Sequence, residues 1–131
     1  MIGRTILVAD DDRLVQSAIA QAARKYGCQI IAVLEGLQVV SIARRQRPDL
    51  IVLDLTFPDA DGRYILAELQ ANADTKDIPV VVWSAHDPGP DRHIFLALGA
   101  EDYVEKTDAP SLLPKVKRIL LRRNGAEPAH T

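Results

Sequence analysis

Five short apolar runs, each followed by a stretch of helical period, constrain this chain more than any other feature. The runs are Thr5–Ala9 (TILVA), Cys28–Leu34, Leu50–Leu55 (LIVLDL), Val80–Ser84 (VVVWS) and Asp102–Glu105 (DYVE). Apolar residues follow one another in these runs and do not alternate with polar ones, the pattern of strands covered on both faces. Between them, Arg13–Tyr26 sets Leu14, Val15, Ala18, Ile19 and Ala22 on one helical face and Gln16, Gln21, Arg24 and Lys25 elsewhere, with Gly27 as the stop. Leu37–Arg47 is a second helix ended by Pro48, and Gly62–Ala71 a third with Ile65, Leu66 and Leu69 inward. A fourth covers roughly 91–98 and stops at Gly99. The last is Ser111–Arg123, with Ser111 as its cap so that Pro114 falls in the first turn, where backbone N–H groups are unpaired in any case. Five strand–helix units with right-handed crossovers predict an α/β, doubly wound parallel sheet. Ligands of such sheets bind at the carboxyl ends of the strands.

Composition narrows the class. A chain of 131 residues is one domain's worth, and its net charge of -2 argues against nucleic-acid binding by bulk charge. MIGRTILVADDD runs from a short apolar stretch straight into acid, unlike a signal peptide, and no stretch is long enough to span a membrane. Cys28 is the single cysteine and reads as a small apolar residue of a cytoplasmic protein. Residues 1–123 are expected to form the folded domain, and 124–131 a flexible tail with nothing to pack.

The carboxyl ends of the strands carry the polar residues that need explaining. Asp10, Asp11 and Asp12 follow the first strand, Asp54 interrupts the third, Ser84 ends the fourth and Lys106 follows the fifth. An ionised carboxylate inside a buried strand is costly without a partner. Carboxylate oxygens suit a hard divalent cation such as Mg2+, which keeps several waters and takes its other ligands from a few carboxylates and a phosphate. A lysine and a hydroxyl can hold phosphoryl oxygens, and an ionised Asp54 can act as a nucleophile towards phosphorus. Each piece also has a plain reading. The aspartates before the helix serve as caps, the favoured role for Asp12. Asp54 is a structural acid paired with Lys106, and Ser84 and Lys106 are ordinary surface residues.

Taken together, these fragments resemble the receiver domain of two-component response regulators over about Thr5–Leu121. ILVADDD is similar to the family's opening strand and acid cluster, DLIVLDLTFPDADG to its phosphoacceptor signature, including Pro58, Asp61 and Gly62, VVVWSA to its switch segment and GAEDYVEK to its lysine segment. The resemblance implies a flavodoxin-like sheet of five strands in the order 2-1-3-4-5 with five helices. It implies Asp54 as phosphoacceptor, Asp10, Asp11 and Asp54 as Mg2+ ligands, Ser84 and Lys106 as phosphoryl-stabilising groups, and Ser84 with Tyr103 as the switch pair. Thr56 and His86, two places after Asp54 and Ser84, stand where the family tunes phosphoryl lifetime. A histidine kinase or phosphotransfer protein would be the donor. Phosphorylation would draw Ser84 inward, let Tyr103 turn in and alter a docking surface for a downstream target protein. The family's lysine is usually followed by proline; here Thr107 follows Lys106, so the usual cis bond does not carry over to this loop.

Other readings remain open at this stage. A Mg2+-dependent phosphohydrolase would carry a second aspartate at the position of Thr56. A flavin carrier would not place Asp10–Asp12 against a phosphate. A phosphorylation-independent pseudo-receiver is favoured only by the missing proline. Under the receiver reading the chain is not an enzyme beyond its own phosphorylation and dephosphorylation. No effector segment follows the last helix, so action by protein docking and not by direct DNA binding is expected. His93 and His130 read as surface residues, HDPGPD (86–91) as a turn-rich loop, and Trp83, on the opposite side of its strand from Ser84, as core. Arg44, Arg45, Arg47 and the basic residues of the last helix read as solvated faces.

Overall fold

The computed structural model describes residues 1–86 and 89–125. The order of elements is β1 (Thr5–Ala9), α1 (Arg13–Arg24), β2 (Gln29–Val33), α2 (Val39–Gln46), β3 (Leu50–Asp54), α3 (Gly62–Ala71), β4 (Val80–Ser84), α4 (Arg92–Ala97), β5 (Asp102–Glu105) and α5 (Leu112–Gly125). Short 3-10 turns precede α2, α4 and α5. All strand pairs are parallel, in the order β2-β1-β3-β4-β5, as expected. Every residue of β3 and β4 is buried, while the edge strand β2 exposes Gln29 and Ala32.

Alternation along the strands divides the core into two layers. Leu7, Ala9, Ile51, Leu53, Val80, Val82 and Tyr103 face Val39 and Ala43 of α2, Ile65, Leu66 and Leu69 of α3, and Phe95 of α4. On the other side Ile6, Val8, Leu50, Val52, Val81, Trp83 and Val104 face Ile19 and Ala23 of α1 and the stripe Leu112, Val116, Ile119 and Leu120 of α5. The register aligns Ala9 with Leu53, Asp54 with Trp83 and Ser84 with Glu105. Asp10, Asp54, Ser84 and Lys106 therefore emerge at one edge, at nearly the same level.

Several local expectations are corrected. Leu14 is 81 % exposed and Ala18 is also exposed, whereas Gln16, assigned to the outer side of α1, is buried. Its Nε2 donates to the carbonyls of Val8, Asp10 and Val33 at 2.8, 3.0 and 3.3 Å. The helix is rolled so that an amide serves carbonyls at the ends of β1 and β2, which an apolar side chain could not do. Ser111 is no acceptor cap. Its hydroxyl donates to the Asp108 carbonyl at 2.9 Å inside the turn Lys106–Ser111, although Pro114 does fall in the first turn of α5. Arg47, next to Pro48, leaves the helix in the left-handed region at φ 45°, since a residue before proline is disfavoured in the α conformation. No peptide bond among the described residues is cis, so the Lys106–Thr107 bond is trans. Asp87, Pro88, His130 and residues 126–131 of the expected tail lie outside the described residues.

Asp102 ties the β5 end of the sheet to both neighbouring helices. It accepts from the Arg92 guanidinium of α4 at 2.6 Å and from the Tyr103 N–H at 2.7 Å, and Lys115 of α5 lies 3.6 Å away. Burial alone would raise the pKa of this carboxyl, but these donors outweigh it and hold the pKa below the usual carboxylate range. A depressed folded-state pKa gives stability that is present above the unfolded value and lost as pH falls through the folded one. Asp102→Asn is therefore expected to lose about 1–2 kcal/mol at neutral pH. The gap to the wild type should close on acidification through that interval, measured as urea midpoints across pH.

Candidate functional site

Local folding places each group at the edge. Asp12 begins α1 as its cap, accepting from the N–H groups of Leu14 and Val15 at 2.8 and 3.3 Å, so its plain reading holds. That cap turns the chain sharply after β1. The Asp12 N–H then donates to Asp10 Oδ1 at 2.9 Å. Asp10 is fully buried and Asp11 exposed. Asp54 is 5 % exposed; its Oδ1 accepts from the Thr56 N–H at 3.1 Å.

The loop after β3 is pinned at its far side. Asp59 accepts from the N–H groups of Gly36 and Leu37, both at 3.0 Å, which anchors the loop to the start of the α2 segment. Gly62 closes it: a Cβ there would lie 2.4 Å from Leu55 Cα and 2.7 Å from the Asp54 carbonyl oxygen, so only glycine lets α3 start against the end of β3.

Lys106 reaches in from the opposite side. Its Nζ lies 2.7 Å from Asp10 Oδ2 and 3.1 Å from Asp54 Oδ2. Burial raises the pKa of the Asp54 carboxyl above its ordinary value, with nearby Asp10 adding to it and the Thr56 N–H and Lys106 only partly opposing. Burial would lower the pKa of the Lys106 ammonium, but the two carboxylates together raise it. One cation thus serves two buried anions. Oxygens of Asp10, Asp11 and Asp54 lie within 4.8 Å of one another, a set of hard donors of the kind Mg2+ takes. They border an open cleft of about 430 Å³ with Thr56, His86 and Lys106 on its walls.

Ser84 and Tyr103 lie on the other layer. Ser84 is 2 % exposed, and its Oγ accepts from the His86 N–H at 3.2 Å. The Tyr103 hydroxyl donates to the His86 carbonyl at 3.1 Å, and its ring packs on Phe95 with centroids 5.4 Å apart. The backbone of His86 therefore links the two residues, while its side chain is exposed on the cleft. Tyr103 is 3 % exposed. The ring is set inward, with Phe95 and the His86 carbonyl as its partners.

All the sequence-derived site residues thus come to one edge, in two groups: Asp10, Asp11, Asp54 and Lys106 together, Ser84 and Tyr103 beside them. Thr56 and His86 line the cleft between. Three further residues were missed. Gln16 and Asp59 shape the backbone around the site, and Trp83, read as core, also donates its indole N–H to Asp10 Oδ2 at 3.2 Å. No spacing in the sequence signals these contacts: Asp59 and Trp83 reach segments distant along the chain, and Gln16 meets its carbonyls only once α1 has docked against the ends of β1 and β2.

Comparisons with known proteins place the sequence in a family and match its fold. The sequence matches the family described as "Response regulator receiver domain" over residues 6–117. It is 36 % identical over 121 residues to the "Probable transcriptional regulatory protein TcrX" of Mycobacterium tuberculosis, covering 92 % of this chain and 51 % of that protein. It is 33 % identical over 122 residues to the response regulator MprA of Mycobacterium sp. strain KMS, covering 93 % and 52 %. The chain spans about half the length of these curated relatives. Among solved structures it resembles the receiver domain of the sensor histidine kinase PA1611 of Pseudomonas aeruginosa, which has a magnesium ion coordinated in its active-site cleft, at 31 % identity and a TM-score of 0.77 over 92 % of this chain and 96 % of that one. It also resembles the BeF3-activated receiver domain of Klebsiella pneumoniae RstA, at 28 % identity and a TM-score of 0.80 over 90 % and 98 %. The chain belongs to the response regulator receiver domain family.

Proposed function

We propose that Asp54 accepts a phosphoryl group from a phosphohistidine of a histidine kinase or phosphotransfer protein, and that the modified domain then engages a downstream target protein. An Asp54 carboxylate oxygen attacks phosphorus, the P–N bond to the imidazole breaks, and the imidazole keeps the electron pair and takes a proton from water. The product is an aspartyl phosphate. Lys106 stands within reach of the new phosphoryl oxygens, and the Ser84 hydroxyl, accepting from His86 in the resting arrangement, has its own proton free to donate. Asp10, Asp11 and Asp54 would hold Mg2+, which when bound offsets the negative charge that gathers as phosphate meets carboxylate. The observation that carries this reading is Lys106 held between Asp10 and Asp54 beside the third acid, Asp11, at the carboxyl edge of the sheet.

The signal would leave the site through the second layer. A phosphoryl group that draws the Ser84 hydroxyl towards it disturbs the bond to His86, and so the carbonyl that holds Tyr103. Because the ring is already inward, phosphorylation on this reading deepens an existing population and does not create a new shape. Thr56 and His86 flank the attack path of water, where their side chains would set how long the phosphate lasts. At the position of Thr56, a phosphohydrolase acting on external substrates would carry its general acid, so turnover of such substrates is not expected.

The test is intact-mass measurement after incubation with Mg2+ and a small acyl-phosphate donor, followed by phosphotransfer from a histidine kinase. One added phosphoryl group is expected in the wild type, and none in Asp54→Asn or after chelation. No labelling from either donor would leave Asp54 a structural acid and favour a phosphorylation-independent docking module. A second expectation concerns stability without Mg2+. The raised pKa of Asp54 means that its ionised form is disfavoured in the folded state, so stability falls as pH rises from the ordinary carboxylate range through the folded pKa. Asp54→Asn should therefore melt about 3–5 °C above the wild type at pH 7, corresponding to roughly 1 kcal/mol, and lose that advantage on acidification. Calorimetric scans in a chelator across pH would show it; a lower melting temperature for the variant at pH 7 would contradict the charge assignment.

A further inference from the structure

Trp83 is the sole tryptophan of the chain, and the mechanism above gives it no part. It is 3 % exposed and packs in the layer formed with α1 and α5. In register it sits beside Asp54 on the neighbouring strand, yet its indole N–H reaches past β3 to Asp10 at the end of β1. Two strand spacings amount to about 10 Å, which the indole of Trp83 and the carboxylate of Asp10 bridge from their two ends. The same ring lies near the Lys106 ammonium, with Nζ 5.9 Å from its centroid.

Asp10 Oδ2 therefore receives two donors of different character: the indole N–H at 3.2 Å and the Lys106 ammonium at 2.7 Å. The indole is fixed by the core and cannot follow a moving partner. The ammonium ends a flexible four-carbon stem, with the side chain 21 % exposed, and is able to exchange one partner for another. The other oxygen of Asp10 accepts from the rigid Asp12 N–H. Each oxygen of this buried carboxylate thus has one immobile donor, and the plane of the group is set without help from Lys106. A cation placed at Oδ2 would compete with the ammonium there, whereas the indole, fixed by the core, would stay in place.

We propose that Trp83 is a positioning residue of the cation site: its indole N–H holds the Asp10 carboxylate where it converges with Asp11 and Asp54, and its ring face receives the Lys106 ammonium when a cation takes Asp10 from it. This rests on the reading of the site as a Mg2+-dependent phosphoacceptor. Two effects oppose each other. An N–H bond withdraws charge from an oxygen that the cation uses, which weakens binding. Without it, however, the carboxylate is free to turn and Oδ2 pairs with Lys106 alone, so the cation has to break a tighter ion pair. Orientation by outer-shell donors is the larger effect in metal sites, where their loss typically costs about 10–100-fold in affinity. The ring contributes a further attraction of the cation–π kind for the displaced ammonium.

The test separates the N–H from the bulk of the ring. Because the chain has one tryptophan, growth on β-(3-benzothienyl)alanine replaces position 83 alone with an isostere bearing sulfur where the N–H stood. Mg2+ binding is then measured by calorimetric titration for the wild type, the isostere and Trp83→Phe, with melting temperatures taken in a chelator. About tenfold weaker binding is expected in both altered proteins, with the isostere melting within about 2 °C of the wild type. Unchanged affinity in the isostere would overturn the proposal and leave Trp83 as core, and so would a loss confined to Trp83→Phe, since that traces to packing. No Mg2+ binding by the wild type would overturn the reading of the cation site itself, and this proposal with it.

Discussion

One ammonium between two buried carboxylates is the interaction on which the edge of this sheet depends. Lys106 lies about a hydrogen-bond length from both Asp10 and Asp54, two acids with almost no exposure. At such separations each attraction is worth upwards of about 4 kcal/mol at an effective dielectric near 20, and much of it is spent against desolvation. The cluster still has one negative charge more than positive, with exposed Asp11 adding a second. Burial, with a smaller push from Asp10, drives Asp54 towards its neutral form, whereas the two carboxylates hold Lys106 charged against its own burial. That surplus of negative charge favours a positive ion at this edge.

The alternation of side chains then separates chemistry from response. Asp54, Trp83 and Val104 alternate onto the side of α1 and α5, with Asp10 and Lys106 meeting them there. Ser84 and Tyr103 alternate onto the side of α2, α3 and α4. On that second side Ser84 and Tyr103 are linked through the backbone of His86, whose N–H donates to the Ser84 hydroxyl and whose carbonyl accepts from the Tyr103 hydroxyl. Asp102, joined to Arg92 and Lys115, passes the position of β5 on to α4 and α5. The hydroxyl and ring of the second side are thus joined, through β5 and Asp102, to the two helices that flank that strand.

Precision at the site comes from residues with no chemistry of their own. Asp59 clamps the loop after β3 to the backbone at Gly36 and Leu37, Gly62 lets α3 begin in contact with Asp54, and Gln16 serves three carbonyls where β1 and β2 end. Thr107 takes the place of a proline after Lys106 with a trans bond, and the lysine still reaches both acids. Its reach is set by the end of β5 and by the turn Lys106–Ser111.

The amino-acid sequence by itself determined the five strand–helix units, the burial of β3 and β4, and the edge at which Asp10, Asp11, Asp54, Ser84 and Lys106 meet. Those properties follow from periodicity and from which residues end each strand, both of which are local. It also determined the cap at Asp12, which involves only its neighbours. The roll of α1 that buries Gln16 and exposes Leu14 was decided by the tertiary structure, because it depends on carbonyls supplied by two strands. So was the inward setting of Tyr103, which needs Phe95 and the His86 carbonyl. The bond from Trp83 to Asp10 crosses an intervening strand and exists only once order and register are set. Local periodicity carries no information about a contact of that kind, since it joins residues 73 positions apart along the chain.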